Sequence, residues 1–167
     1  TISIVSHGQS TLVDKLLRDI DEKLDFRAED VNIVLTCNIP EENWRPYSRK
    51  FNVTRINNTI SKGFGANHNS AFKLAKDGIF IVCNPDIKLT KTISSKDFAE
   101  AYVNKGIFSP QILDSEYCIA DFIRPAITIK GLIMRRFIEY RKLTSSKIEW
   151  LAGMFLVINT HTYSLLG

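Results

Sequence analysis

Short apolar runs alternate along this chain with stretches whose apolar residues recur at helical spacing. Ile2 to Val5 form the first run, closed by the polar Ser6-His7-Gly8-Gln9. Leu12, Leu16, Leu17, Ile20 and Leu24 then repeat as one face of a helix. Ser10 and Thr11 open it, and Thr11 with Asp14 has the form of a capping box. Val31 to Cys37 are a second buried-strand run, stopped by Asn38-Ile39-Pro40. Strand, helix and strand at this separation imply a parallel, right-handed βαβ unit. Glu41 to Lys50 reads as a polar loop or short helix, and Phe51 to Ile56 alternate like a more exposed strand.

Asn57 to Asn69 is dense in Asn and Gly. A helix is expected after it, with Ala71, Leu74 and Ala75 on one face, Phe72 beside them and Gly78 as its stop. Ile79 to Cys83 are five apolar residues in a row, the pattern of a strand buried on both faces. Pro85 cannot join a sheet ladder, so this strand ends at Asn84-Pro85-Asp86. Further on, Ser94 or Ser95 caps a helix with Phe98, Ala101 and Tyr102 inward. Gly106 to Leu113 and Tyr117 to Phe122 read as two strands, and Pro125 to Tyr140 as a basic amphipathic stretch with Lys130, Arg135 and Arg136. Trp150 to Ile158 is a last apolar strand, and Thr160 starts a helix. The order describes one α/β domain with a mostly parallel central sheet and flanking helices.

Composition changes this picture little. The 167 residues suffice for one domain. A net charge of +4 suits anionic ligands. No Lys/Arg block is long enough for a nucleic-acid tail, and no nucleic acid is expected as a partner. Cys37, Cys83 and Cys118 are scattered and odd in number, which reads as small buried hydrophobes in a reducing compartment. Thr1 opens directly into a strand pattern, without a signal peptide, and no apolar run approaches the ~18 residues of a membrane span.

Polar clusters follow three strand ends: Ser6-His7-Gly8, Asn38, and Asn84-Pro85-Asp86. A parallel sheet brings such ends to one edge, where open α/β sheets bind ligands. Lys62 to Asn67 precede a helix, whose N-terminus favours an anion, and Gly63 and Gly65 permit close backbone approach. Asp86, on a backbone stiffened by Pro85, is placed to hold a hard divalent cation. Gly63-Phe64-Gly65 with Asp86 downstream also fits a dinucleotide fold loosely. Against that, the third glycine position holds His68, the feeding segment is polar, and the first strand–helix turn contains only Gly8. His7 and His68 read as solvated or hydrogen-bonded structural residues. Trp150 divides evenly between core and substrate contact, and the neighbouring Gly153 marks a close approach of ligand or backbone.

Taken together, ISIVSHGQ, NIVLTCNIP, ISKGFGANHNSAFKLAKDGIFIVCNPDIKL and WLAGMFLVI resemble family 2 glycosyltransferases, closest to the bacterial rhamnosyltransferase-like branch. The resemblance spans nearly the whole chain, and Gly63 to Asp86 is its most specific part. It implies a GT-A fold, a Rossmann-like nucleotide-sugar-binding domain. By it, Asp86 would bind Mg²⁺ or Mn²⁺ on the donor diphosphate, with Asn84 in place of the first carboxylate of an Asp-x-Asp motif. Ser6, His7 and Gly8 would line the nucleotide pocket, Asn38 would contact base or ribose, and Gly63, Gly65, Asn67 and Asn69 would pack around the donor. Trp150 and Gly153 would lie on the acceptor side. Residues 1–90 would form the nucleotide-binding half and 91–167 the acceptor-side half of a single domain, 1–167, that is the N-terminal part of a longer protein.

The implied activity is inverting transfer from a UDP-, dTDP- or GDP-sugar to a glycan or lipid-linked acceptor in bacterial surface polysaccharide synthesis. The implied location is cytoplasmic, at the inner face of a bacterial membrane. The basic amphipathic pattern of Pro125 to Tyr140 reads either as a peripheral membrane contact or as a core-packed helix with a solvated face. The family's acidic motif for the catalytic base is absent, and nothing places Asp114, Glu116 or Asp121 in that role, so the base is unassigned. The alternatives are a non-catalytic nucleotide-sugar-binding module and a nicotinamide-dependent oxidoreductase.

Overall fold

A computed structural model describes residues 1–120, 123–124 and 150–166. In chain order its elements are β1 (Ile2–Ser6), α1 (Ser10–Lys23), β2 (Leu24–Asp25), β3 (Asn32–Cys37), β4 (Asn52–Asn57), α2 (Phe64–Phe72), β5 (Ile79–Cys83) and β6 (Ile93–Ser94). There follow α3 (Ala99–Val103), β7 (Ile107–Phe108), β8 (Ile123–Arg124), β9 (Trp150–Leu151), β10 (Phe155–Asn159) and α4 (Thr160–Leu166). The chain divides into two compact units, Thr1–Phe108 with Gly153–Gly167, and Ser109–Ala152.

The first unit is an α/β layer structure on a sheet ordered β4-β3-β1-β5-β10-β7. β1, β3, β4 and β5 run parallel, whereas β10 returns antiparallel between β5 and β7. β3 and β5 carry the apolar, buried runs expected of strands covered on both faces, whereas the edge strand β4 alternates and is partly exposed. α1 turns Val13, Leu16, Leu17 and Ile20 into the core. On the opposite face Val34, Ala71, Phe80 and Val82 form a buried cluster. Phe72, Phe80 and Tyr163 close over it with ring centroids 4.6–5.1 Å apart. Such ring pairs contribute about 0.5–1.5 kcal/mol each beyond their buried area. Gly78 turns the chain into β5 at a φ of 125°, and its N–H and C=O bond to the Oγ1 and N–H of Thr160. That pair fixes the start of β5 against the end of β10.

Several expected elements take a different form. No capping box forms at Thr11: Gln9 is the N-cap, and Asp14 instead accepts the Trp44 indole N–H at 3.0 Å. α2 begins at Phe64, inside the Asn/Gly stretch, and stops at Phe72, leaving Leu74 exposed. The helix beyond Ser94 is a 3₁₀ turn followed by the short α3, with Ser94 and Asp97 capping each other. Ala101 faces the core there, but Tyr102 is 62% exposed. Of the two strands expected across 106–122, the described residues form β7 and a single bridge, Leu113 to Ile119, because the Asp114 carboxylate takes the N–H groups of Glu116 and Cys118 into a tight turn. The apolar run 150–158 is two strands, β9 paired with β8 and β10 in the main sheet, broken between 152 and 154. Cys37 and Cys83 are buried as expected, whereas Cys118 is exposed. Pro125 to Tyr140 lies outside the described residues.

Candidate functional site

Register brings the strand ends into line. Ser6 pairs with Cys37 and Cys37 with Asn57, so the next residues of β3 and β4, Asn38 and Asn58, stand side by side. The ladder continues one step past them, with Asn38 N–H bonded to Ser6 O and Asn58 N–H to Cys37 O. Both side chains are buried. Asn38 Oδ1 accepts the Lys62 N–H at 2.8 Å and an Asn58 Nδ2 hydrogen at 2.9 Å. Its Nδ2 faces His7 Nδ1 at 3.1 Å, Ser61 Oγ at 3.1 Å and Lys62 O at 3.0 Å. Asn58 Nδ2 also donates to Asn67 Oδ1 at 2.7 Å, and Asn67 Nδ2 donates to Lys62 O. Three amides thus tie the β1 loop, the β3 and β4 ends and the first turn of α2 into one network. Asn38 has its capacity filled by protein, whereas Asn67 uses one N–H and one lone pair of its amide and is itself buried. Both shape the cradle, and Asn38 offers no spare polar group to a ligand.

What faces outward is different. Gly63 and Gly65 are exposed, and a methyl group added at either would meet nothing within 4 Å. Neither needs φ > 0, so the fold itself does not demand glycine at these positions. Lys62 is exposed beside them at the α2 N-terminus, where unbonded N–H groups carry partial positive charge. Gly8 is another matter. Its φ is 77°, and a methyl group added there would lie only 3.2 Å from Ile39 Cδ1, so the turn requires glycine. His7 is exposed above that turn. Ser6 is buried, donates to Glu41 Oε1 at 2.6 Å and accepts the Gln9 N–H. Glu41, Asn58 and Ser61 join the site without being singled out by the sequence pattern. Asn58 can be found by setting the ends of β3 and β4 level. Glu41 depends on a loop strapped down by Arg55, which donates to Glu41 O at 2.8 Å and Trp44 O at 2.6 Å.

Not every expected residue joins this cradle. Asn69 turns to the other flank of α2, where it accepts the Tyr163 hydroxyl at 2.8 Å. His68 is buried under Phe64, with ring centroids 4.5 Å apart, and its Nδ1 shares a 2.8 Å hydrogen bond with Ser3 Oγ. Burial lowers its pKa from 6.5 to about 4, so it is a neutral structural group. Gly153 lies beneath the Phe64 ring, with 3.4 Å from its methyl position to the ring edge. The close approach there is that of a side chain. Trp150 belongs to β9 in the second unit.

Asp86 stands beyond the end of β5, exposed, with Asn84 half-buried and Pro85 buried before it. It lines a groove of about 430 Å³ along α1, with Leu12, Lys15, Arg18 and Lys88 among its walls. Ser6, Asn38 and Gly63 are not among them. Asp86 makes no hydrogen bond or ion pair among the described residues. Burial, and then the charge of Asp86, push the Cys83 thiol well above its ordinary range. Among the described residues no group of three His, Cys, Asp or Glu could hold a metal ion. A protein-only cage is therefore not formed by them. A single free carboxylate does fit a Mg²⁺ or Mn²⁺ whose other ligands are water and substrate phosphate.

No family model and no curated protein matches the chain. Among solved structures it is similar to the mannosyltransferase PcManGT from Pyrobaculum calidifontis in complex with GDP-Man and Mn²⁺, at 16% identity and a TM-score of 0.47, over 53% of this chain and 28% of that one. It is also similar to S. aureus TarS, residues 1–349, at 17% identity and a TM-score of 0.48, over 54% and 28%. The chain thus spans little more than a quarter of the length of either structure.

Proposed function

We propose that this chain carries the donor-binding part of a metal-dependent glycosyltransferase of GT-A type. It would take a sugar from a nucleoside-diphosphate donor to a glycan or lipid-linked acceptor, with inversion, in bacterial surface polysaccharide synthesis. One observation carries the reading: the amide-tied cradle of Ser6 to Gly8, Asn38, Asn58 and Lys62 to Gly65 and the unpaired Asp86 both follow carboxyl ends of parallel strands in one sheet, Asp86 in a neighbouring groove along α1. Asn38 follows β3 and Asp86 follows β5, with only β1 between. Two strand spacings of ~4.8 Å separate them laterally, about 10 Å, a span that a nucleoside diphosphate bridges. The nucleoside would lie against the His7 loop, Lys62 and the glycines, and its diphosphate would reach toward Asp86.

In that pose Gly63 and Gly65 let the α2 backbone approach the ligand, and Lys62 adds a positive charge. Asp86 would hold the metal, with Asn84 beside it. When bound, the ion would neutralise charge gathering on the leaving diphosphate. In the full-length gene product, Asp86→Ala should abolish Mn²⁺-dependent sugar transfer while leaving the metal-free affinity for nucleotide within about twofold. A thermal-shift screen of UDP-, dTDP- and GDP-sugars tests the binding half: a donor at ~100 times its Kd adds roughly 2.7 kcal/mol of stability. Binding without transfer by the full-length gene product would assign a nucleotide-sugar-binding module, and a shift with NAD alone would assign an oxidoreductase.

A further inference from the structure

We propose that Asp19 and Lys23, one turn apart on α1, are positioning residues for Asp86, because together they clamp both backbone groups of Leu89 and so hold the loop that presents the Asp86 carboxylate. The inference rests on the reading of Asp86 as a cation ligand. The clamp is a closed ring of three contacts. Leu89 N–H donates to Asp19 Oδ2 at 3.1 Å, Lys23 Nζ donates to Leu89 O at 2.5 Å, and Lys23 Nζ meets Asp19 Oδ1 at 2.8 Å. The Lys23 and Asp19 side chains are only 25% and 19% exposed, so this is a packed junction and not a solvated surface pair. Leu89 itself is buried.

The other end of the loop is held as firmly. Asn84 N–H donates to Met154 O at 2.9 Å, Pro85 is buried, and Ile87 N–H turns back to Asn84 O. Between these anchors Asp86 has no side-chain partner among the described residues. Its direction is set by the loop backbone alone, and that backbone has one fixed point on each side. A carboxylate must sit at ~2.0–2.1 Å from Mg²⁺ in near-octahedral geometry, so small loop displacements matter. Groups that orient a metal ligand without touching the metal commonly change its affinity by about 10–100-fold.

Mn²⁺ titrations followed by electron paramagnetic resonance, on the full chain with UDP, GDP and dTDP in turn, test this. Asp19→Asn and Lys23→Met should weaken Mn²⁺ in the nucleotide complex about tenfold and leave metal-free nucleotide affinity within about twofold. Asp19→Glu should recover part of the loss. Lys23→Met keeps the apolar stem of the side chain, so it preserves the packing if Asp19→Asn unfolds the protein. Unchanged Mn²⁺ affinity in the folded variants, with Asp86→Ala losing it, overturns the clamp alone. An equal loss of metal-free nucleotide binding marks a merely structural role and overturns it too. Full Mn²⁺ affinity in Asp86→Ala overturns the reading of Asp86, and the clamp's role with it.

Discussion

His68 shows how one buried ring sets a pH dependence. Its folded-state pKa is about 4 against 6.5 when unfolded, because burial disfavours the charged ring. The unfolded chain therefore binds the proton first. The contribution of His68 is complete above pH 6.5 and is lost as pH falls toward 4. At about 1.36 kcal/mol per pH unit, the protein should lose about 2 kcal/mol from this group between about pH 7.5 and about pH 5. Urea unfolding at the two pH values should show that loss, and His68→Leu should be flatter by the same amount. At this scale the sequence is a partial guide. Asn38 and Gly8 announce themselves by following an apolar run. Each also has a local role that the resemblance does not mention, since Asn38 is filled by protein contacts and Gly8 serves its own turn. Burial of His68 under Phe64 comes from packing α2 on β1, and spacing along the chain does not encode it.

At the scale of elements, α2 is the informative case. Its strongest residues for helix prediction, Leu74 and Ala75, lie beyond its end, while two glycines sit at its start. Tertiary contacts decide: the Asn67 side chain ties the first turn to Asn58 and Lys62, and Ala71 and Phe72 pack on the sheet. Gly65 has open space where a side chain would go. Gly65→Ala should therefore stabilise the helix by up to about 1 kcal/mol, read by thermal or urea unfolding. The same change should weaken binding of nucleotide sugar, since the added methyl stands on the open face of the cradle. A gain in stability with no loss of binding would remove α2 from the site. The strands are easier to read than the helices, because continuous apolar runs such as Ile79 to Cys83 have few other solutions. The break in 150–158 is not legible, because the two pieces pair with different partners.

For the whole molecule, the decisive feature is that β10 completes the sheet from far along the chain. Without it, β5 would be an apolar edge strand with unpaired backbone groups, a template for aggregation. A chain ended after Ala152 should lose cooperative unfolding by circular dichroism and elute as aggregates in size-exclusion chromatography. The α/β class and the parallel core follow from the order of runs. The antiparallel return does not, since nothing in Phe155 to Asn159 specifies direction. This late closure also has a bearing on biosynthesis. About seventy residues separate β5 from β10. At ~5–20 residues per second a ribosome takes roughly 4–14 s to traverse them. Through that interval the nascent β5 flank waits without its neighbour, and chaperone capture there competes with premature association between growing chains.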